Sequence, residues 1–238
     1  MVNISVPLTL VIPVYNEEGS LPLLLRSWRE VLQKIPGSTM LVVDDGSKDR
    51  SGAILDEEAL HYAGMRVLHH DNCGHGPTLL KAYRWALDQG AEWIFQIDSD
   101  DQIPAEEFWL LWERRHESPF VLGARFERHD PLYRKILSRV HQGMLFVLFS
   151  VWIRDPNIPF RLMRRDCLAS FLPRIPSFTF APNVLLSVLA KLSKLPTLDI
   201  PVRHKERESG SSFIHLRSLA RIGLRVFCQT FSFRRAIG

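Results

Sequence analysis

The sequence has few cysteines and no long apolar run. Its three cysteines are scattered over 238 residues, and neither a CxxC nor an HExxH motif occurs. A disulfide scaffold and a zinc site made of Cys and His side chains are therefore not expected, and this usage fits a reducing compartment. The longest apolar stretch, residues 144–153, has 10 residues, whereas a membrane-spanning helix needs about 20. No basic region precedes the first apolar residues, so no secretory signal is expected.

The positive charge is concentrated at one end of the chain. The formal net charge is +4, and 46% of the residues are hydrophobic and 24% charged, as is ordinary for a globular protein. Residues 203–238 carry eight basic and two acidic residues, whereas residues 1–202 carry 22 basic and 24 acidic ones. A basic tail favours anionic partners such as phosphate groups, lipid headgroups or nucleic acid. Nucleic acid is not expected, because no zinc-finger or RNA-recognition motif occurs.

Apolar runs alternate with helical patterns along the chain. The patterns predict strands at residues 8–14, 40–43, 66–69, 93–97, 120–123 and 197–202. They predict helices at residues 21–35, 52–62, 78–89, 104–115, 131–152, 181–194 and 213–227, with Ser20 capping the first. This alternation is typical of βαβ units and predicts an α/β fold, Rossmann-like, with a mostly parallel sheet and helices on both faces.

Unusual polar residues follow four of the predicted strands. In open parallel sheets, ligands bind at the carboxyl ends of the strands, so these residues are expected to line one rim. The four clusters are Tyr15, Asn16 and Glu17; Asp44 and Asp45; Asn72, Gly74 and Gly76; and Asp98, Asp100 and Asp101.

Each cluster also has a simpler interpretation. The segment Asp44-Asp45-Gly46-Ser47 has the composition of a turn that caps the next helix. The glycines at 74 and 76 fit an ordinary loop, since glycine marks loops generally. A single D-x-D pair such as Asp98 and Asp100 is expected about 0.7 times by chance in such a chain. No GxxxxGK[ST] motif occurs, which excludes a P-loop.

The residues after the fourth strand favour a divalent cation. Asp98 and Asp100 leave the strand end two residues apart, so both carboxylates can turn toward one ion, and Gln102 adds a third oxygen at the same spacing. Hard oxygen ligands suit Mg²⁺ or Mn²⁺, which usually hold substrate phosphates as well.

The order of these motifs resembles glycosyltransferase family 2, whose members have the GT-A fold. Within it, the chain resembles the polyprenyl-phosphate sugar transferases, with which it shares the D-x-D-x-Q motif. One departure is Asn183, which stands where the family often has a Glu. The matching segments are residues 11–18, 41–52, 72–87, 95–104, 121–125, 158–166 and 207–212.

The resemblance implies a division of the chain and a role for each motif. It implies a glycosyltransferase domain at 1–202, with a nucleotide-sugar half at 1–125 and an acceptor half at 126–202, followed by a basic helical segment at 203–238. The implied nucleotide ligands are Pro13, Tyr15, Glu17, Asp44 and Asp45. Asp98, Asp100 and Gln102 would hold the metal and the diphosphate, Arg207 would reach the diphosphate, and Arg125, Arg134 and Ser138 would meet an acceptor phosphate.

The implied reaction is metal-dependent, inverting transfer of a hexosyl group from a UDP- or GDP-linked sugar. A lipid-phosphate acceptor is ionised at pH 7 and needs cations for placement, which Arg125, Arg134 and Arg161 could supply. A glycan or other alcohol acceptor needs a general base, for which Asp155 is the candidate; Asp155 also fits a simple turn before Pro156. A non-catalytic module that only binds nucleotide sugars is the remaining alternative.

Two segments bear on the location of the protein. Residues 132–153 and 213–227 both combine basic and apolar side chains, a pattern that suits either a helix in an anionic membrane interface or a surface helix packed on the domain. A cytoplasmic location is expected, with peripheral attachment to the cytoplasmic membrane face as the form that would suit a lipid acceptor.

Overall fold

A computed structural model describes residues 7–125, 132–205 and 216–237, with side chains at 7–124, 138–205 and 223–237. Seven strands occur in these residues: β1 Leu8–Val14, β2 Thr39–Asp44, β3 Met65–His69, β4 Trp93–Gln96, β5 Phe120–Arg125, β6 Arg161–Arg164 and β7 Thr197–Val202. The helices are α1 Leu21–Leu32, α2 Ser51–His61, α3 His75–Asp88, α4 Phe108–Trp112, α5 Leu132–Phe149, α6 Arg165–Phe171, α7 Pro182–Leu192 and α8 Leu216–Ile237. Short 3-10 turns, Ala105–Glu107 and Leu172–Arg174, precede α4 and follow α6.

The strands form one sheet in the order β3-β2-β1-β4-β6-β5-β7. Every neighbouring pair is parallel except those that involve β6, which runs antiparallel to both β4 and β5. This confirms the α/β fold with a mostly parallel sheet. Because β1, β2, β3 and β4 point the same way, the residues that follow them meet at one edge, as the motif positions predicted.

Strand β6 and helix α6 were missed in the sequence. The strand has four residues, Arg-Leu-Met-Arg, and lacks the apolar run of a buried parallel strand. Its inner residues nevertheless fill the sheet, since Leu162 pairs with Phe95 on one side and with Val121 on the other.

Three helices differ from their predicted form. Ser20 does not cap α1 with its side chain; its hydroxyl donates instead to the carbonyl of Ser99 at 2.8 Å, which ties the start of α1 to the loop after β4. The predicted helix at 104–115 is a 3-10 turn followed by the five-residue α4. Helix α8 continues to Ile237, ten residues past its predicted end. Among the helices of the described residues, none has both the length and the apolar character needed to cross a bilayer.

An aromatic cluster lies in the core beneath the end of β4. The Phe95 ring is 4.9 Å from Phe108, 4.8 Å from Phe160 and 5.5 Å from Trp28, measured between ring centroids. All four side chains are fully buried. Edge-to-face contacts of this kind stabilise a core beyond the burial of area alone. The cluster therefore gives the loop that carries Asp98 and Asp100 a rigid base.

Candidate active site

The main cavity lies where β1, β2 and β4 end and α3 begins, and its volume is about 370 Å³. It brings together eight of the residues singled out in the sequence. They are Pro13, Tyr15, Glu17, Asp45, Asn72, Gly74, Asp98 and Asp100, and the remaining lining residues are Val14, His75, Thr78 and Ser99.

A second cavity, of about 140 Å³, adjoins the same two carboxylates. Asp98 and Asp100 line both cavities. The other lining residues come from α1, from the loop after β4, from the turn before β6 and from the segment after β7; they include Leu24, Gln102, Asn157, Pro159 and His204. The carboxylates thus stand at the boundary between two separate binding spaces.

The loops after β1 and β2 are fastened to each other. Asn16, which has a positive φ of 53°, donates its backbone N–H to the Ser47 hydroxyl at 3.0 Å and accepts the Lys48 N–H on its side chain at 2.7 Å. The Glu17 N–H donates to the hydroxyl of Ser51 at 2.9 Å. Asn tolerates left-handed backbone better than most residues. These bonds hold the Tyr15 and Glu17 side of the main cavity in one arrangement.

Asp44 and Asp45 are neighbours in sequence but have different roles. The Asp45 carboxylate lines the main cavity and accepts the backbone N–H groups of Cys73 at 2.7 Å and Gly74 at 2.9 Å. Asp44 does not line the cavity; it accepts the Ser47 N–H at 3.0 Å and faces the Nδ1 of His69. Successive side chains leave a strand on opposite faces. The structure therefore argues against the predicted contact of Asp44 with a nucleotide and assigns Asp44 to support of the loop.

The Asp44 and His69 side chains perturb each other's ionisation. Burial alone would raise the pKa of Asp44, but hydrogen bonds from Ser47 and His69 outweigh it and the pKa is lowered. The hydrogen bond to Asp44, which joins His69 Nδ1 to Asp44 Oδ2 at 3.0 Å, is the main reason that the pKa of His69 is raised above 6.5. A second contact joins His69 Nε2 to Asp56 Oδ1 at 3.1 Å.

We expect this pair to make stability fall as the pH rises above 6.5. A raised pKa in the folded state means that the stabilisation is complete below the unfolded pKa and is lost as the pH rises through the folded one. Urea unfolding at a series of pH values should therefore show a decline for the wild type that His69→Gln lacks. His116 is exposed, so His116→Gln serves as the control and should show the same decline as the wild type. If His69→Gln kept the wild-type pH profile, the coupling between His69 and Asp44 would not be the cause of the decline.

A buried hydrogen-bond relay connects Tyr83 of α3 with Asp98. Tyr83 Oη donates to Asn183 Oδ1 at 3.0 Å, Asn183 Nδ2 to Gln96 Oε1 at 3.0 Å, and Gln96 Nε2 to Asp98 Oδ1 at 3.1 Å. Burial raises the pKa of Tyr83, so the phenol stays protonated and able to donate. Tyr83, Gln96 and Asn183 were not identified as site residues from the sequence, although Asn183 had stood out as a departure from the family pattern.

His75 is another site residue that the sequence analysis missed. It is the first residue of α3, lines the main cavity, and places Nε2 4.0 Å from Asp98 Oδ1. The sequence feature that could have indicated His75 is its position between Gly74 and Gly76, after the third predicted strand.

Gly76 allows a close contact at the start of α3. A Cβ atom there would lie 1.9 Å from the carbonyl oxygen of Thr179 and 2.8 Å from that of Phe180. The segment before α7 therefore rests directly on the backbone of α3, beside the residues that line the main cavity.

Arg161 lies in the core rather than at the acceptor side. The side chain is fully buried and donates to the carbonyl oxygens of Ile158 at 3.0 Å, Asn183 at 3.1 Å and Pro156 at 3.3 Å. Burial lowers the pKa of Arg161 to about 10. These contacts argue against the predicted contact of Arg161 with an acceptor phosphate, because the guanidinium is occupied in holding the turn before β6 against α7.

Asp155 is also displaced from its predicted role. It is 8% exposed and lines neither cavity. A neighbouring half-buried group is His141, whose pKa is lowered by desolvation and partly restored by the charge of Asp155. This placement argues against Asp155 as the general base, since a base must reach the acceptor hydroxyl directly or through one water.

The remaining predicted acceptor residues are only partly described. Ser138 is half-buried on α5 and lines neither cavity. Arg207 and the side chains of Arg125 and Arg134 lie outside the described residues. The chain before Arg207 does reach the site, because the Lys205 N–H donates to the carbonyl of Gln102 at 2.7 Å.

The residues between the cavities fit a divalent cation of the magnesium or manganese type. Asp98 and Asp100 present carboxylate oxygens to both cavities, and Gln102 lines the smaller one beside them. The Gln96 amide of the relay orients Asp98 by donating to its Oδ1. A donor set made only of oxygens suits these ions.

A family model and the curated relatives both relate the chain to glycosyltransferases. The family model described as glycosyl transferase family 2 matches residues 9–172. The chain is 33% identical over 214 residues to an undecaprenyl-phosphate 4-deoxy-4-formamido-L-arabinose transferase from Pectobacterium atrosepticum, with 88% of this chain and 62% of that protein covered. It thus spans less than two thirds of the length of that relative. It is 30% identical to an undecaprenyl-phosphate mannosyltransferase from Micrococcus luteus, with 85% of each chain covered.

The solved structures confirm the GT-A fold. The crystal structure of glucosyl-3-phosphoglycerate synthase from Mycobacterium tuberculosis, in complex with Mn²⁺, UDP and phosphoglyceric acid, matches with a TM-score of 0.67 and covers 96% of this chain and 78% of its own. The sequence identity is 16%, so this likeness bears on the fold alone.

Proposed function

Because the chain belongs to glycosyl transferase family 2, we propose that it transfers a sugar from a nucleotide-diphosphate sugar to a polyprenyl phosphate. The observation that carries this proposal is the position of Asp98 and Asp100 between two cavities. One space then takes the donor and the other admits the phosphate that attacks it. The names of the Pectobacterium and Micrococcus relatives both specify undecaprenyl phosphate, which supports the acceptor class.

The larger cavity is the proposed donor site. Tyr15, Glu17 and Asp45 stand at the ends of β1 and β2, where a base and ribose would lie, and Asp98 and Asp100 stand where a diphosphate would lie. The fastened loops keep this surface formed before the donor arrives, which lowers the entropic cost of binding.

Asp98, Asp100 and Gln102 are the residues that would hold Mg²⁺ or Mn²⁺. The ion, when bound, would neutralise the negative charge that develops on the leaving diphosphate. The chain's own contribution is orientation: Gln96 fixes one oxygen of Asp98, and the hydroxyl of Ser20 holds the Ser99 carbonyl between the two carboxylates.

The smaller cavity is the proposed acceptor side. A lipid phosphate is already ionised at pH 7, so it attacks the anomeric carbon without a general base, which agrees with the burial of Asp155. Attack from the face opposite the leaving diphosphate inverts the anomeric configuration. His204 lines this cavity, but so do Asp98, Asp100 and Asp101, so an anionic acceptor would depend on the bound cation to offset the charge of these carboxylates.

Helices α5 and α8 provide a proposed membrane-facing surface. Phe149 and Phe233 pack together at 6.3 Å between ring centroids, and Arg234 donates to the Leu148 carbonyl at 2.8 Å, so α8 is anchored on α5. Apolar side chains stay exposed on both helices and in the turn after α5, among them Phe146, Val147, Trp152, Leu224, Phe227 and Phe231. Exposed apolar groups beside exposed arginines suit an anionic bilayer interface at the cytoplasmic membrane face.

Flotation with vesicles tests this surface. We expect the protein to float with phosphatidylglycerol vesicles at low salt, and Phe227→Ser combined with Phe231→Ser to reduce the floated fraction. Leu60→Ser removes an exposed leucine from α2, which is not part of the proposed membrane-facing surface, and should leave the floated fraction unchanged. Failure of the wild type to float would contradict the membrane proposal.

A transfer assay tests the function itself. The protein is incubated with UDP- or GDP-sugars, Mn²⁺, and either undecaprenyl phosphate or a soluble glycan, and products are identified by mass. Sugar on the lipid phosphate is the expected result. Sugar on the glycan alone would overturn the acceptor assignment, and nucleotide binding without any transfer would favour the binding-module alternative.

A further inference from the structure

Three potential metal ligands of different chemistry meet beside the main cavity, of which Asp45 also lines that cavity. Asp45 follows β2, and His70 and Cys73 lie between β3 and α3. One ligand atom from each lies within 4.8 Å of the others. His70 Nδ1 is 3.6 Å from Asp45 Oδ1 and 3.7 Å from Cys73 Sγ.

The two separations from His70 Nδ1 are close to two edges of a tetrahedral zinc site. With bonds of about 2.0–2.1 Å to nitrogen and oxygen and about 2.3 Å to sulfur, a tetrahedron has edges of about 3.4 Å between nitrogen and oxygen and about 3.6 Å between nitrogen and sulfur. We propose that Asp45, His70 and Cys73 supply three ligands of a site for Zn²⁺ or a similar thiophilic dication.

The surroundings orient the ligands. The Asp45 carboxylate is held by the N–H groups of Cys73 and Gly74. The Nδ1 atom of His70 now donates to the Asp71 carbonyl at 2.7 Å. Metal binding at Nδ1 therefore requires the imidazole proton to move to Nε2, which lies 3.4 Å from the Thr78 hydroxyl and can then donate a hydrogen bond to it. The thiol proton of Cys73 is released to solvent. Lys81, whose ammonium lies 3.6 Å from the sulfur, is exposed and can turn away.

This site differs from the one at Asp98 and Asp100 in the metals it selects. Sulfur and imidazole ligands favour zinc-like ions, whereas sites made only of oxygen favour Mg²⁺ and Mn²⁺. The sequence did not indicate the site, because no metal-binding spacing joins the three residues. Asp45 reaches His70 and Cys73 only because β2 and β3 are neighbours in the sheet.

The consequence for donor binding rests on the proposed function. Asp45 lines the main cavity. An ion bound to Asp45 would take up space in the proposed donor site and engage the carboxylate that the nucleotide would contact. Zinc is therefore expected to compete with the donor, whereas Mn²⁺ at Asp98 and Asp100 would support its binding.

Cobalt spectroscopy tests the site without any donor. Co²⁺ bound to a thiolate gives a charge-transfer band, and Zn²⁺ displaces the Co²⁺ and removes the band. We expect one equivalent to bind the wild type and Cys228→Ser, which alters another exposed cysteine. Cys73→Ser should lose the band, and His70→Asn should weaken binding by about 100-fold or more. Both substitutions are at positions that are not fully buried, and thermal unfolding checks that the variants fold.

Three results would overturn the proposal: no band in the wild type, a band that persists in Cys73→Ser, or a band lost in Cys228→Ser. The effect on donor binding is measured separately, from the thermal shift produced by UDP with and without Zn²⁺. A protein that binds Co²⁺ through Cys73 but shows no shift with UDP or GDP would count against the proposed function and leave the metal site standing.

Discussion

Replacement of Asp100 by Asn should lower the rate of sugar transfer by about 10²–10³-fold, the loss that follows removal of one group stabilising the charge that develops in a transition state. Asp100 lines both cavities. Its neutral isostere keeps the shape of the loop but weakens the hold on a divalent cation. The measurement is initial transfer rate against Mn²⁺ concentration, with the nucleotide-induced thermal shift recorded in parallel.

The adjacent Asp101→Asn is the matched control. Asp101 lines only the smaller cavity, and its φ of 51° is a conformation that Asn adopts readily. Asp101→Asn should lose less activity than Asp100→Asn, because Asp101 borders only the proposed acceptor side and not the donor cavity. Equal losses in the two variants would show that the loop as a whole, rather than the Asp100 carboxylate, determines the rate.

Replacement of Gly76 by Ala should destabilise the fold by about 3 kcal/mol, at the upper end of the cost of overpacking. The added methyl would lie 1.9 Å from a backbone oxygen, that of Thr179. Backbone cannot rotate away as a long side chain can, so either α3 or the segment before α7 must shift. Because His75 and Thr78 line the main cavity from α3, nucleotide binding should weaken as well.

Gly143→Ala provides the contrast, because a Cβ at that helical position would meet no atom from outside its own turn of helix within 4 Å among the residues that the structure describes. There the substitution should stabilise the protein by about 0.5–1 kcal/mol, the usual difference between Ala and Gly in a helix. Urea unfolding of both variants measures the two effects. A Gly76→Ala protein as stable as the wild type would mean that the contact with Thr179 is easily relaxed.

The parallel part of the sheet could be predicted from the sequence, and β6 could not. Strand β1 is buried along its whole length and has a nearly continuous apolar sequence, so the strand predicted at residues 8–14 has the bounds that the structure shows. Strand β6 has arginine at both ends, and its position depends on pairing with β4 and β5, which are distant in the sequence. Local composition carries no information about such pairing.

The candidate site divides in the same way. Residues at strand ends were found because the topology of a parallel sheet places them together. The sequence could not separate Asp44 from Asp45, since their different roles depend on the face each leaves. Nor could it show that Arg161 is surrounded by carbonyl groups, because those groups come from the 156–158 turn and from Asn183.

The relay from Tyr83 to Asp98 makes its members epistatic. Tyr83 and Asn183 are 100 residues apart, yet each hydrogen bond of the relay is donated in the direction of the Asp98 carboxylate. A substitution at Gln96 or at Asn183 breaks the same connection, so the second break adds less than the first. The effect of a substitution at position 183 therefore depends on which residue occupies position 96. The cost of the first substitution in a series depends on which of the two positions changes first.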